Sequence, residues 1–236
     1  YDIDCENGDF RLIASFPAKH GTTTPTPRVR DYVCHRDVWL DAIQGIHGVD
    51  KATAKRLPNI VSNGGGYRTW LEQNDLPFVP RNQWYKPVLE LQKELLTLRQ
   101  ELFAHPKFKA MVDAERDRLR REGEKTEFGI EASLMSRIVQ TCENEVLGIV
   151  DRVFFDLGWD TLALVFDGLI VEPAEGCRPL ALADVLAKAK EACKARGWDI
   201  ELADKPLHGL QEGTPRSVTA ARTAMRDYQA FLTQLG

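Results

Sequence analysis

No uninterrupted apolar run in this chain approaches the roughly 18 residues needed to cross a bilayer as a helix, and nothing at its start resembles a signal peptide. A membrane partner is therefore not expected. Cysteine is scarce: Cys5, Cys34, Cys142, Cys177 and Cys193 are odd in number, widely spread and without a Cys-x-x-Cys pair. Neither a disulfide framework nor a zinc site is suggested, and a reducing, intracellular setting is the default expectation. Net positive charge is missing as well, since 31 Lys and Arg against 35 Asp and Glu leave −4. Global attraction to phosphates is thus not what would hold a nucleic acid. There is no internal repeat and no low-complexity tract. What remains is a chain of 236 residues with 43% hydrophobic side chains, enough for one large domain or two small ones with a real core. It begins at Tyr1 rather than Met, so a longer parent polypeptide is expected.

The pattern along the chain predicts an α+β protein. Tyr1-Asp-Ile-Asp4 alternates as the end of a strand does, and after Gly8 the run Phe10-Arg-Leu-Ile-Ala-Ser reads as the start of a buried helix. Residues 17 to 31, rich in Pro, Thr and Gly, read as a loop. Asp50 suits the N-cap of a helix through Lys51, Lys55 and Ile60, kinked at Pro58 and ended by Gly64-Gly65-Gly66. A helical pair is expected from Tyr85 to about Arg121, broken at His105-Pro106. Leu134, Ile138, Cys142, Val146, Ile149 and Val153 recur at helical spacing and predict a helix from about 131 to 155, ended by Gly158. A hairpin over 161 to 173, a helix over 181 to 197, an extended stretch from 199 and a last helix over 217 to 235 complete the reading. Basic residues gather at Arg28 and Arg30, at Lys51 to Arg56, and at Arg116 to Arg121, where a solvated helix face is the simpler explanation.

The hairpin Thr161-Leu-Ala-Leu-Val-Phe-Asp167-Gly168-Leu-Ile-Val-Glu-Pro173 joins two apolar runs through Asp-Gly, which by itself signals a type I′ turn. It gains meaning beside two other segments. The first is Asp4-Cys-Glu-Asn-Gly-Asp9-Phe-Arg11-Leu-Ile-Ala14, and the second is Lys51-x-x-x-Lys55-x-x-x-Asn59-x-x-x-Asn63-Gly64. In that order the three resemble motifs A, B and C of family A DNA polymerases, in a divergent form similar to palm polymerases of viruses and mobile elements. Asp4, Asp9, Arg11 and Ala14 stand at the places of motif A. The basic spacing of motif B is kept, with Asn in place of both aromatics. The helix with Gln140 and Glu143 leads into Val165-Phe-Asp167-Gly168, where the family usually has His-Asp-Glu. The resemblance covers nearly the whole chain, through Lys205-Pro-Leu.

The resemblance implies a right-hand polymerase: a palm of residues 1–15 and 132–212 with an antiparallel sheet, helical fingers over 16–131, and a C-terminal helix at 213–236 packed on the palm. It implies a DNA-directed DNA polymerase that binds primer-template nucleic acid and nucleoside triphosphates, with thumb or accessory domains elsewhere in a longer polypeptide. Two magnesium ions, which favour hard oxygen ligands, would be held by Asp4 and Asp167 as catalytic residues. Asp2, on the same strand face as Asp4, is an alternative ligand. Lys51 and Lys55, one helical turn apart, would face the triphosphate, unless both are simply solvated. Asn59, Asp9 and Tyr67 complete the nucleotide-binding set: Asn59 at the place of a base-stacking ring, Asp9 near the sugar, and Tyr67 as a substitute ring or a buried turn residue. Arg137 and Gln140 would reach primer or template, while Glu143 is either near them or buried beside a basic partner. Asp9 is shorter than the family's glutamate, which leaves a single-subunit RNA polymerase-like enzyme open, and the missing aromatics leave a non-catalytic nucleic-acid-binding palm. A two-metal nuclease is a third alternative. His35, His47 and His208 are isolated and are not expected to be ligands.

Overall fold

The computed structural model describes residues 1–123, 126–165 and 168–205. Contacts divide the chain into units Tyr1–Asp204 and Lys205–Gly236, the second beyond the described residues except at its first position. In chain order the elements are β1 (Asp2–Cys5), α1 (Gly8–His20), α2 (Pro27–Cys34), α3 (Arg36–His47), α4 (Lys51–Ser62) and α5 (Tyr67–Gln73). A 3₁₀ turn at Arg81–Gln83 precedes α6 (Lys86–Ala104), α7 (Pro106–Arg121) and α8 (Glu127–Asp156). Then come β2 (Trp159–Val165), β3 (Gly168–Pro173), α9 (Leu182–Lys194) and β4 (Leu202–Lys205). The fold is α+β. No described helix is long and apolar enough to cross a membrane.

The sheet is ordered β2-β3-β1-β4, with β3 antiparallel to both β2 and β1. Alternation along β1 buries Ile3 and Cys5 and leaves Asp2 and Asp4 half-buried on the other face. Leu169, opposite Ile3, and Val171 are buried with them. α8 packs against β2, β3, α9, α1 and α7. Its apolar stripe of Leu134, Ile138, Cys142, Val146, Ile149 and Val150 is therefore buried along most of its length. At its start Thr126 caps it, the side-chain oxygen accepting from Gly129 N at 3.1 Å.

Local signals placed several elements. Asp50 Oδ1 accepts from Thr53 N at 2.7 Å and opens α4. Gly65 N donates to Ile60 O at 2.7 Å and Gly64 N to Val61 O at 3.0 Å, a Schellman closure with Gly64 at φ +94. α4 continues unbroken through Pro58, which is buried, although proline leaves the Ala54 carbonyl without its helical donor. The break at His105-Pro106 separates α6 from α7 as the sequence predicts. The loop expected over 17–31 is corrected at both ends. α1 runs through Pro17 to His20, and α2 starts at Pro27. Two carboxylates of α6 hold the intervening chain: Glu101 accepts from the backbone N–H groups of Thr23 and Thr24, and Glu94 accepts from those of Arg28 and Val29 at 3.0 Å each. These bonds hold the Glu101 carboxyl down near 2 even against the cost of burial. The helix expected over 217–235 lies outside the described residues.

Candidate active site

β1 and α1 meet at Asn7, whose left-handed φ of 54 turns the chain from strand to helix. Asp4 is thereby left near the end of the strand and Asp9 in the first turn of the helix. Asp4 is the register partner of Gly168, which is also the partner of Val165. Gly168 is thus the first residue of β3 rather than the second residue of a turn. Phe166 and Asp167, which come between the two strands in the sequence, lie outside the described residues. Only glycine fits at 168. A Cβ there would stand 2.4 Å from the Ile3 carbonyl oxygen, so the close approach of β1 to β3 forbids the second acid that the resemblance would place at this position.

On the outer face of this strand pair the donors are carboxylate oxygens, Asp4 and, two residues earlier, Asp2. Among the described residues no group of three or more His, Cys, Asp or Glu is placed to enclose a metal. Such a donor set fits magnesium, which keeps several waters and takes one or two carboxylates together with substrate phosphates. Beneath the face, Cys5, Gly8 and Leu12 meet Glu143, Val146 and Leu147 of α8 across a narrow seam. Glu143 is half-buried there, against the strand-to-helix junction.

α4 packs on α3, α5 and α6. Lys51 and Lys55 are both exposed on it, but Lys51 Nζ donates to Asp37 Oδ1 at 2.8 Å. Asn59 is half-buried, and its carbonyl accepts from Ser62 Oγ at 2.8 Å and from Asn63 Nδ2 at 3.0 Å, closing the helix end. Tyr67 is 1% exposed. Its ring stacks on Trp84 at 4.6 Å, and its hydroxyl bonds with His47 and accepts from Tyr85 N at 3.2 Å. Burial raises the Tyr67 phenol and lowers the His47 imidazole. The ring expected to stand in for the missing aromatic is enclosed on its faces by its own neighbours. A base cannot stack on it in this arrangement.

Arg137 and Gln140 are exposed on α8 and line an open groove of about 510 Å³. Ala132, Ser133 and Ser136 of the same helix face, Glu115 and Arg118 of α7, and Asn63 complete it. Asn63, the two serines and the α7 pair were not expected from the sequence. The serines share the polar side of α8 with Arg137 and Gln140, so the same helical spacing that revealed the apolar stripe could have found them. Arg118 makes two bonds to Glu115, at 2.7 and 2.9 Å, and a third to Glu122. The hydrogen bonds from Arg118 hold the Glu115 carboxyl below its usual range.

A second polar cluster went unread in the sequence, because its members lie far apart along the chain. His20, at the end of α1, has its ring 5.0 Å from Phe108, 5.5 Å from Trp198 and 5.7 Å from His105. Its Nε2 lies 3.9 Å from Cys142 Sγ. Nearby, Glu145 pairs with Lys19, with Lys107 at 2.9 Å, and with the Trp198 indole N–H at 3.2 Å. Desolvation, with Lys107, His105 and Lys19 around it, pushes the His20 imidazole down to about 4. Burial also pushes the Cys142 thiol up to about 12, which removes it as a nucleophile at neutral pH. All five cysteines are free thiols.

No protein-family model matches the chain, and no curated protein sequence matches it. Among solved structures it is similar to the POL domain of Pol1 from M. smegmatis in complex with DNA primer-template and dNTP, at 11% identity and a TM-score of 0.45. The likeness covers 86% of this chain and 38% of that one, so the chain spans well under half of the length of the protein it matches.

Proposed function

We propose that this chain is the catalytic core of a template-directed nucleotidyl transferase, a DNA-directed DNA polymerase with a palm of residues 1–15 and 132–212 and fingers of 16–131. The observation that supports this reading most is the pairing of Asp4 with Gly168, because it aligns the motif A carboxylate with the residue directly after Asp167. Two magnesium ions would be held by Asp4 and Asp167, and when bound they would stabilise charge on the attacking and leaving oxygens. Asp9 lies in the first turn of α1, two residues past Asn7, and would face the sugar. Lys55 would meet the triphosphate directly, whereas Lys51 would first have to leave Asp37. Asn59 would flank the nucleotide without a stacking ring. The α8 groove would take the primer-template duplex, with Arg137 on phosphate and Gln140 on groove edges.

The test is magnesium-dependent primer extension by the full-length protein carrying Asp4→Asn. The rate should fall about 100-fold or more, as for loss of a group that stabilises transition-state charge, while duplex binding persists. Undiminished extension would remove Asp4 from the site. A second reading, a nucleic-acid-binding palm without catalysis, is favoured by the enclosure of Tyr67, which leaves α4 and α5 without a free ring for the incoming base. Duplex binding with no nucleotide incorporation by the wild-type protein would select it.

A further inference from the structure

Arg99, on α6, is a charged side chain only 3% exposed. Its Nη1 donates to Glu131 Oε2 at 3.3 Å, and its Nε is buried with no partner among the described residues. The fork end of the guanidinium covers Gly64: a Cβ there would lie 2.8 Å from Nη2, 3.0 Å from Nη1 and 3.1 Å from Cζ. Gly64 follows Asn63, one wall of the α8 groove, and Glu131 precedes Ala132, on the other wall. One buried side chain therefore stands behind both walls at once. A buried ion pair is an expensive way to fill space, and an apolar residue of similar volume is often as stable or more so. Its use is explained better by what it fixes. A guanidinium combines a flat face for Gly64 with a donor for Glu131, which a lysine ammonium cannot reproduce.

We propose that Arg99 is a positioning residue that sets the width of this groove, and through it the grip on duplex nucleic acid. The proposal rests on the groove being the primer-template site. It separates the two ends of α4. Loss of Arg99 loosens Asn63 at the C-terminal end, next to the groove, and leaves Lys51 and Lys55 nearer the N-terminal end in place.

The test uses the full-length protein with Arg99→Met, Arg99→Lys and Glu131→Gln, the last at a side chain 36% exposed and so tolerant of change. Spin labels at Asn63→Cys, at the C-terminal end of α4, and Asn144→Cys on α8, both exposed positions, report the separation of the walls after Cys34 and Cys177 are replaced by serine. The wild-type label distance should be narrow, and all three variants should broaden or shift it. Duplex Kd, read by fluorescence anisotropy on the unlabelled proteins, should rise about tenfold, while the nucleotide KM at saturating duplex changes less than about twofold. Restoration by lysine would reduce Arg99 to a plain charge partner of Glu131 and overturn the proposal. So would unchanged label distances, or broadened ones without loss of duplex affinity. If the wild-type protein binds no duplex yet the distances still broaden, Arg99 keeps its positioning role and the reading of the groove as a nucleic-acid site falls instead.

Discussion

Two stretches of α8, a single turn apart, use polar side chains in opposite ways. Over 132–140, serine, arginine and glutamine side chains point into an open groove, and Arg137 and Gln140 donate no side-chain hydrogen bond to another described residue. From Cys142 to Glu145 the helix turns polar groups inward. There Glu145 is saturated by Lys19, Lys107 and Trp198, and His20 sits among four rings and the Cys142 thiol. The hub has spent its donors and acceptors on itself and ties α1, α7, α8 and the strand approach at Trp198 together. In the groove the donors of Arg118 and Asn63 are taken up by Glu115, Glu122 and the Asn59 carbonyl, in contrast to those of Arg137 and Gln140. Polar residues at equivalent helical spacing are thus saturated by partners within the fold in one stretch and turned to an open groove in the other, and only the tertiary structure tells which.

That contrast can be broken by making each region show the other's phenotype. The largest effect is expected from Glu145→Gln, which leaves Lys19 and Lys107 without their anion and should cost about 2–3 kcal/mol of stability in urea unfolding. Duplex affinity should stay within about twofold. A stable variant with weakened binding would place the hub in the binding site. Next in size, Arg137→Ala with Gln140→Ala should weaken duplex binding about tenfold and lower the salt slope by about one counterion, with unfolding unchanged. If the double variant melts early instead, the groove is structural.

The smallest effect is a pH dependence. His20 is held at about 4 against 6.5 in the unfolded chain, so the unfolded state binds the extra proton. Its contribution is complete above about pH 6.5 and is lost as pH falls toward 4. The groups facing it are Lys19, Lys107, His105, Glu145 and Cys142. Glu145, lowered to about 2, loses its own contribution only below about 4.5. Wild-type stability should therefore fall by about 1–2 kcal/mol between pH 6.5 and 4, and His20→Gln should flatten that slope. An unaltered slope in the variant would assign the acid sensitivity elsewhere.

What was legible locally was legible for local reasons. Asp50 and Gly64-Gly65 bracket α4 because caps and positive φ are settled within a few residues. The stripe of α8 and the break before Pro106 follow from spacing and from proline's missing donor. α2 escaped notice because the stretch that read as a loop is held through Thr23 and Thr24 by Glu101 and through Arg28 and Val29 by Glu94 of α6, more than 60 residues further on. Tyr67 likewise offered a ring, but its surroundings of Trp84, Tyr85 and His47 come from separate elements.

The sequence by itself determined which faces are apolar, where α4 and α6 stop, and that Asp2 and Asp4 share one side of a strand, since these depend on backbone periodicity and on the conformations glycine and proline allow. Tertiary structure alone decided that Asp4 lies opposite Gly168, that Lys51 is taken up by Asp37, that His20 is neutral among rings, and that Asn63 meets the polar face of α8. Those are matters of partner choice. Periodicity reveals that a face must be covered, and only packing between distant segments settles what covers it.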